Sequence, residues 1–117
     1  MLEERAKELG RLIGQSPEYQ TVKTTSEALN NDREAVAKLR RMEELRRDAQ
    51  RMIERGEAPT QEMETELDSL LSAVQANLTY QRAVSAQENF DKTMLRVNEW
   101  ILDGIKRGSE SRIITLG

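Results

Sequence analysis

Cysteine is absent from the 117-residue chain, and so is histidine. The first absence removes disulfides, thiolate nucleophiles and cysteine-held metals or clusters. The second removes the side chain that titrates near neutral pH, and with it Ser-His and Cys-His pairs and the Glu-x-x-His ligands of di-iron bundles. Only six glycines are present, too scattered for a phosphate-cradling loop. The pattern Gly10-x-x-x-Gly14 lies in a charged segment, so it marks close packing and a helix end and not a membrane dimer motif. No uninterrupted apolar run approaches the roughly 18 residues a spanning helix needs. The opening MLEERAKELG is charged and amphipathic, unlike a secretory leader, so a cytoplasmic protein without membrane contact is expected. Glu62, Glu64, Glu66 and Asp68 alternate along a helical stretch and scatter over its surface. No catalytic residue, metal or cofactor is expected, and the chain reads as a non-enzyme.

Aromatic residues are also scarce, at 3% (two Tyr, one Phe, one Trp), beside 33% charged and 37% apolar residues and a net charge of -3. A core must therefore come from Leu, Ile, Val, Met and Ala. These favour helices, whereas strands draw on aromatic and β-branched residues. The expected fold is all-α, a small antiparallel bundle of about five helices with long central and C-terminal members. Residues 1–108 are expected to form a single domain and 109–117 a flexible tail.

Periodicity and punctuation place the helices. Leu2, Ala6, Leu9 and Ile13 share one face of a first helix that Gly14 can end. Ser16-Pro17-Glu18 supplies a hydroxyl cap, a proline at the first helical position and an acid near the positive end of the dipole. A second helix is predicted from Pro17 to Leu29. Asn31 and Glu34 have the spacing of a capping box that starts a third near Asp32. That helix runs to Arg55, with Gly56 as a left-handed cap and Pro59 barring continuation. A fourth helix opens at Pro59 or Thr60 and carries Met63, Leu67, Leu70, Leu71, Val74 and Leu78. After a turn or kink near Asn77, the last is predicted from Thr79 to Arg107, closed by Gly108 and two serines.

The third helix crowds basic side chains into an acidic protein. At 100° per residue, Arg33, Arg40, Arg47, Arg51 and Arg55 fall within about 40° of one line. That line is opposite a stripe centred on Met42, Ala49 and Ile53. Five arginines in line could hold phosphates. Glu44 shares their stripe, however, Asp48 lies beside it, and pairs such as Glu43 with Arg47 neutralise much of the field. No aromatic lies among them to stack on bases. A solvated face is the favoured reading, and a docking or RNA surface the alternative.

In the last helix Ala83, Phe90, Met94, Val97, Ile101 and Ile105 form a core stripe, while Leu95, Trp100 and Leu102 add apolar surface around other sides. A helix with one wet face does not need so much grease. Leu95, Trp100 and Leu102 are therefore predicted to meet another subunit, making the protein a homo-oligomer, in its simplest form a dimer. The β-favouring run Arg112 to Leu116 reads as a flexible end or as an arm laid on a neighbour.

Taken in order, LGRLIGQSPEYQTVKTTSEALNNDREAVAKL and the long segment from ERGEAPTQEME to MLRVNEWILDGI resemble the YlbF/YmcA family of small bacterial helical proteins, especially its YheA-like branch. The likeness covers roughly residues 2–106. It is carried by Ser16 and Tyr19, Asp32 to Ala35, Gly56 with Pro59, and Asn77, Tyr80 and Ala83. The resemblance implies a helical, self-associating, non-enzymatic regulatory adapter that works with partner proteins in complexes influencing RNA maturation and developmental decisions. Some members of the family carry iron-sulfur clusters on cysteines. Without cysteine this chain has no position to which such a ligand could be carried over.

Overall fold

The computed structural model describes residues 1–116, with side chains described through Glu110. Five helices follow one another: α1 (Leu2–Gln15), α2 (Pro17–Asn31), α3 (Arg33–Glu54), α4 (Gln61–Gln75) and α5 (Leu78–Leu116). The all-α class read from composition holds.

Each boundary has a local cause. Ser16 ends α1 and starts α2: its Oγ accepts from the Tyr19 amide at 3.2 Å, and its hydroxyl donates to the Ile13 carbonyl at 2.6 Å. Pro17 then fills the first helical position, where a missing N-H costs nothing. The cap of α3 is Asp32, accepting from the Ala35 amide at 3.1 Å. The sequence pointed one residue earlier, to Asn31, which instead closes α2. Gly56 sits at φ 77, a left-handed conformation in which a side chain is strained. Thr60 caps α4 through the Met63 amide at 3.2 Å, and Asn77 accepts from the Tyr80 amide at 3.0 Å at the start of α5.

Helix α5 continues through Gly108 to Leu116, beyond the stop at Arg107 that the sequence indicated. Glycine inside a helix costs only about 1 kcal/mol relative to alanine, so it weakens without forbidding. The side chains of residues 111–117 lie outside the described residues, and with them the expectation of a flexible tail or arm.

The helices pack in pairs. Tyr19 and Phe90 meet edge to face with ring centroids 5.3 Å apart, and Asp32 lies beside Asn77, so α2 runs opposite to α5. Arg41 reaches Glu66 across the Gly56–Pro59 turn, which makes α3 and α4 a helical hairpin. Among the described residues further packing is modest, chiefly α1 and α3 against α2 and α4 against α5. Among the described residues five apolar ones are buried: Ala35, Leu45, Val74, Ala86 and Val97. Several positions expected inside are not. Ile53, Ile101 and Ile105 are 56%, 43% and 62% exposed, because helical period fixes the direction of a side chain but not whether a neighbour reaches it.

The result is a long, thin protomer of 69 × 37 × 20 Å with a radius of gyration of 21.8 Å. A compact chain of this length would have about 13 Å. Its accessible surface is 9542 Å², against about 6,500 Å² for a compact monomer of this mass.

Candidate interaction surfaces

The distal half of α5 is the first candidate. Leu95, Trp100 and Leu102 are 63%, 67% and 64% exposed, so the protomer does not hide them internally. Helix α2 begins at Pro17, beside Ala86 and Asn89, and leaves α5 beyond Val97 without an extensive neighbour. Helical geometry separates the three residues. Leu102 projects within about 20° of Leu95, whereas Trp100 lies about 140° from Leu95 and about 160° from Leu102. The structure thus brings the two leucines to one flank and places Trp100 on another, although the sequence reading grouped all three. Ile105 is about 80° from Leu95, on the leucines' side.

Helix α3 forms the second candidate. It is continuous from Arg33 to Glu54, so Arg33, Arg40, Arg47 and Arg51 do share one exposed line, with Arg55 just past the end. Arg47 is 3.6 Å from a Glu43 carboxylate oxygen and Arg51 3.9 Å from that of Asp48. Arg55 turns its Nε back to the Arg51 carbonyl at 3.4 Å. Among the described residues Arg33 and Arg40 have no ion-pair partner. All these groups are open to water, where such pairs contribute little.

Arg51 and Arg55 also border a cleft of about 410 Å³ between α3 and α4, floored by Leu45, Met52 and Met63. At its inner end Arg41 holds Glu66 in a two-pronged pair, Nε to Oε1 at 2.6 Å and the second nitrogen to Oε2 at 3.0 Å, and reaches Glu44 at 3.2 Å. Glu66 is accordingly held below the ordinary carboxylate range by its hydrogen bonds from Arg41, and Arg41 is pushed up by Glu66 first and Glu44 second. Neither residue stood out in the sequence as a contact. They are separated by 25 positions, and only the Gly56–Pro59 turn hinted that their helices pair.

A third feature joins the helix pairs. The Asn77 amide nitrogen donates to Asp32 Oδ2 at 3.1 Å while the same side chain's oxygen caps α5. Asp32 in turn caps α3. Its pKa is lowered, first by the Ala35 amide and then by Asn77, with Thr79 adding a smaller contribution. These are helix-end hydrogen bonds that tie the start of α3 to the start of α5.

Compared with known proteins, residues 2–106 match the family model described as control of competence regulator ComK, YlbF/YmcA. The chain belongs to this family. Among curated relatives it is similar to a UPF0342 protein of Streptococcus mutans, 32% identical over 83 residues, which is 71% of this chain and 74% of the relative. A UPF0342 protein of Streptococcus sanguinis is 25% identical over 101 residues, 86% and 90% of the two chains. No solved structure matches the chain. The family likeness read from Ser16, Asp32, Gly56 and Asn77 is thereby borne out, and those residues turn out to be the caps and turns between the helices. No helix among the described residues is long and apolar enough to cross a membrane.

Proposed function

We propose that this chain is a non-enzymatic regulatory adapter that self-associates through the distal half of α5 and meets partner proteins through its remaining helix faces. The observation that carries this reading is the bare apolar surface around Leu95, Trp100 and Leu102 in a member of a family described by competence control. Exposed apolar residues gathered on one element mark association surfaces, and the protomer exposes about 3,000 Å² more than a compact monomer of its mass. The regulatory part of the reading is supported by the family description, control of competence regulator ComK. The distal residues are well exposed, so changing them perturbs association more than folding.

Light scattering on the wild type and on a Trp100→Glu/Leu102→Glu double variant tests the self-association. The expected result is an oligomer, in the simplest case a dimer, that the double variant reduces to a folded monomer. A wild type that is already monomeric at high concentration removes the reading. A pull-down from native lysate with and without nuclease then tests for regulatory protein partners.

A second reading, an RNA-associated accessory protein, is favoured by the single exposed line of Arg33, Arg40, Arg47, Arg51 and Arg55. The carboxylates beside Arg47 and Arg51 weigh against it. Phosphate contacts weaken steeply with salt, so absence of RNA binding even at low salt eliminates this alternative.

A further inference from the structure

We propose that α1 is a hinged strap that pivots at Ser16 and closes on the distal half of α5, seating Leu9 over Ile101 and Leu2 beside Ile105. A short helix standing alone is marginal in water and owes its stability to an apolar face packed on a neighbour. Helix α1 has only 14 residues and buries none of them. Leu2, Ala6, Leu9 and Ile13 nevertheless share one stripe about 60° wide. Leu9 and Ile13, toward its C-terminal end, are half-buried, and Leu2 is bare. An apolar stripe on α5 is cut short in the same way. Ala86, Phe90, Val97, Ile101 and Ile105 fall within about 100° of its circumference. Ala86 and Val97 are buried and Phe90 is half-buried, but Ile101 and Ile105 are exposed.

The register already set by α2 brings the two stripes together. Asp32 pairs with Asn77 and Tyr19 with Phe90, an equal number of residues further along each helix, so α2 and α5 run antiparallel in constant register. Carried into α1, that register sets Ile13 level with Arg96 and Leu9 level with Trp100 and its neighbour Ile101. Leu2 comes level with Arg107, within about 3 Å of Ile105 along the axis. The lengths agree as well, since α1 is about 21 Å long and Met94 to Arg107 covers about 20 Å. An unbroken α1–α2 helix would turn the stripe of α1 about 110° away from Tyr19. Ser16, extended at φ -65 and ψ 148, interrupts that phase, and hinges are typically a few element-end residues of this kind. Beyond the bonds of Ser16 itself, Gln20 Nε2 donates across the break to the Gly14 carbonyl at 2.8 Å, an exposed contact. Closure prolongs the α2–α5 contact and hides apolar surface on both helices. It leaves Leu95 and Leu102 open, about 140° and 120° around α5 from Phe90.

The chain has no cysteine, so an engineered pair is the only source of a disulfide. Leu9→Cys with Ile101→Cys places thiols on the two facing stripes. Leu9→Cys with Glu99→Cys is the control, its second thiol at the same level but about 160° around α5 from Ile101. Oxidised glutathione takes up the two electrons released as the thiols join. At low protein concentration the first pair is expected to close within one chain about tenfold or more faster than the control, because a seated pair has the higher effective concentration. Non-reducing electrophoresis and mass measurement read that bond as a cross-linked monomer. Should this variant lose its helical circular dichroism, Leu2→Cys with Ile105→Cys repeats the test further out along α1. Equal rates in the seated and control pairs, or no disulfide within the chain, overturn the strap. A disulfide formed only between chains overturns it too and makes a second copy the occupant. Light scattering on the wild type reads self-association separately, so either idea can fail while the other stands.

Discussion

Replacing Leu45 with alanine measures how much of the hairpin depends on one side chain. Leu45 is 3% exposed and sits at the floor of the cleft between α3 and α4. The substitution removes three carbons, worth about 2.4 kcal/mol at 0.8 kcal/mol for each buried methylene. A sealed cavity would add to that, but this site opens to solvent, and the flexible thioethers of Met52 and Met63 line the same cleft and can move in. The total should therefore stay near the lower end of the Leu→Ala range, about 2.5 to 3 kcal/mol. With a urea m-value of about 1.5 kcal/mol per molar, the midpoint should fall by about 1.7 to 2 M. Protein concentration must be held fixed, because association stabilises the folded chain. Leu71→Ala, at a position 39% exposed, provides the contrast and should cost about 1.5 kcal/mol or less. A loss below about 1 kcal/mol for Leu45→Ala would show that α3 and α4 do not pack through this residue.

Three further outcomes are expected. Gly56→Ala should destabilise by about 1 kcal/mol, seen as a lower melting temperature, since φ 77 is unfavourable for a side chain although nothing lies within 4 Å of the added carbon. Acid should destabilise the protein partly through Asp32 and Glu66, whose native pKa values lie below their ordinary 3.8 and 4.5. Because the folded state holds these protons more weakly, their contribution is present above those ordinary values and is lost as pH falls through the depressed ones. Urea melts from pH 6 to pH 2 should accordingly show a shallower slope below about pH 4 in Asp32→Asn, with Glu66→Gln behaving likewise. Asn77→Ala should lower the melting temperature and steepen amide exchange at the start of α5 and of α3, because both ends lose a partner at once.

Local chemistry made most helix ends readable. Ser16-Pro17, Gly56-Glu57-Ala58-Pro59-Thr60 and Asn77 act within three residues of themselves, and sequence records such distances directly. Asn31 was mistaken for a cap because it shares with Asp32 the side-chain geometry that caps require. Asp32 prevails with the Ala35 amide and with Asn77 brought beside it by the fold. The cross-helix pairs Arg41–Glu66 and Asp32–Asn77 were not legible, since no periodicity states which two helices will lie together. The apolar width of distal α5 was legible, and so was the shared line of arginines. The division of Leu95, Trp100 and Leu102 into separate sectors is likewise contained in their spacing, at 100° per residue.

The chain passes between its two helix pairs twice, once at Asp32 and once at Asn77, and one amide–carboxylate hydrogen bond ties the crossings together. A load applied at the Gly56 turn, roughly 30 Å along α3, is therefore delivered as torque to this hydrogen bond and to the α2–α3 and α4–α5 contacts beside it. Anything that grips the hairpin's far end pulls on the root of α5.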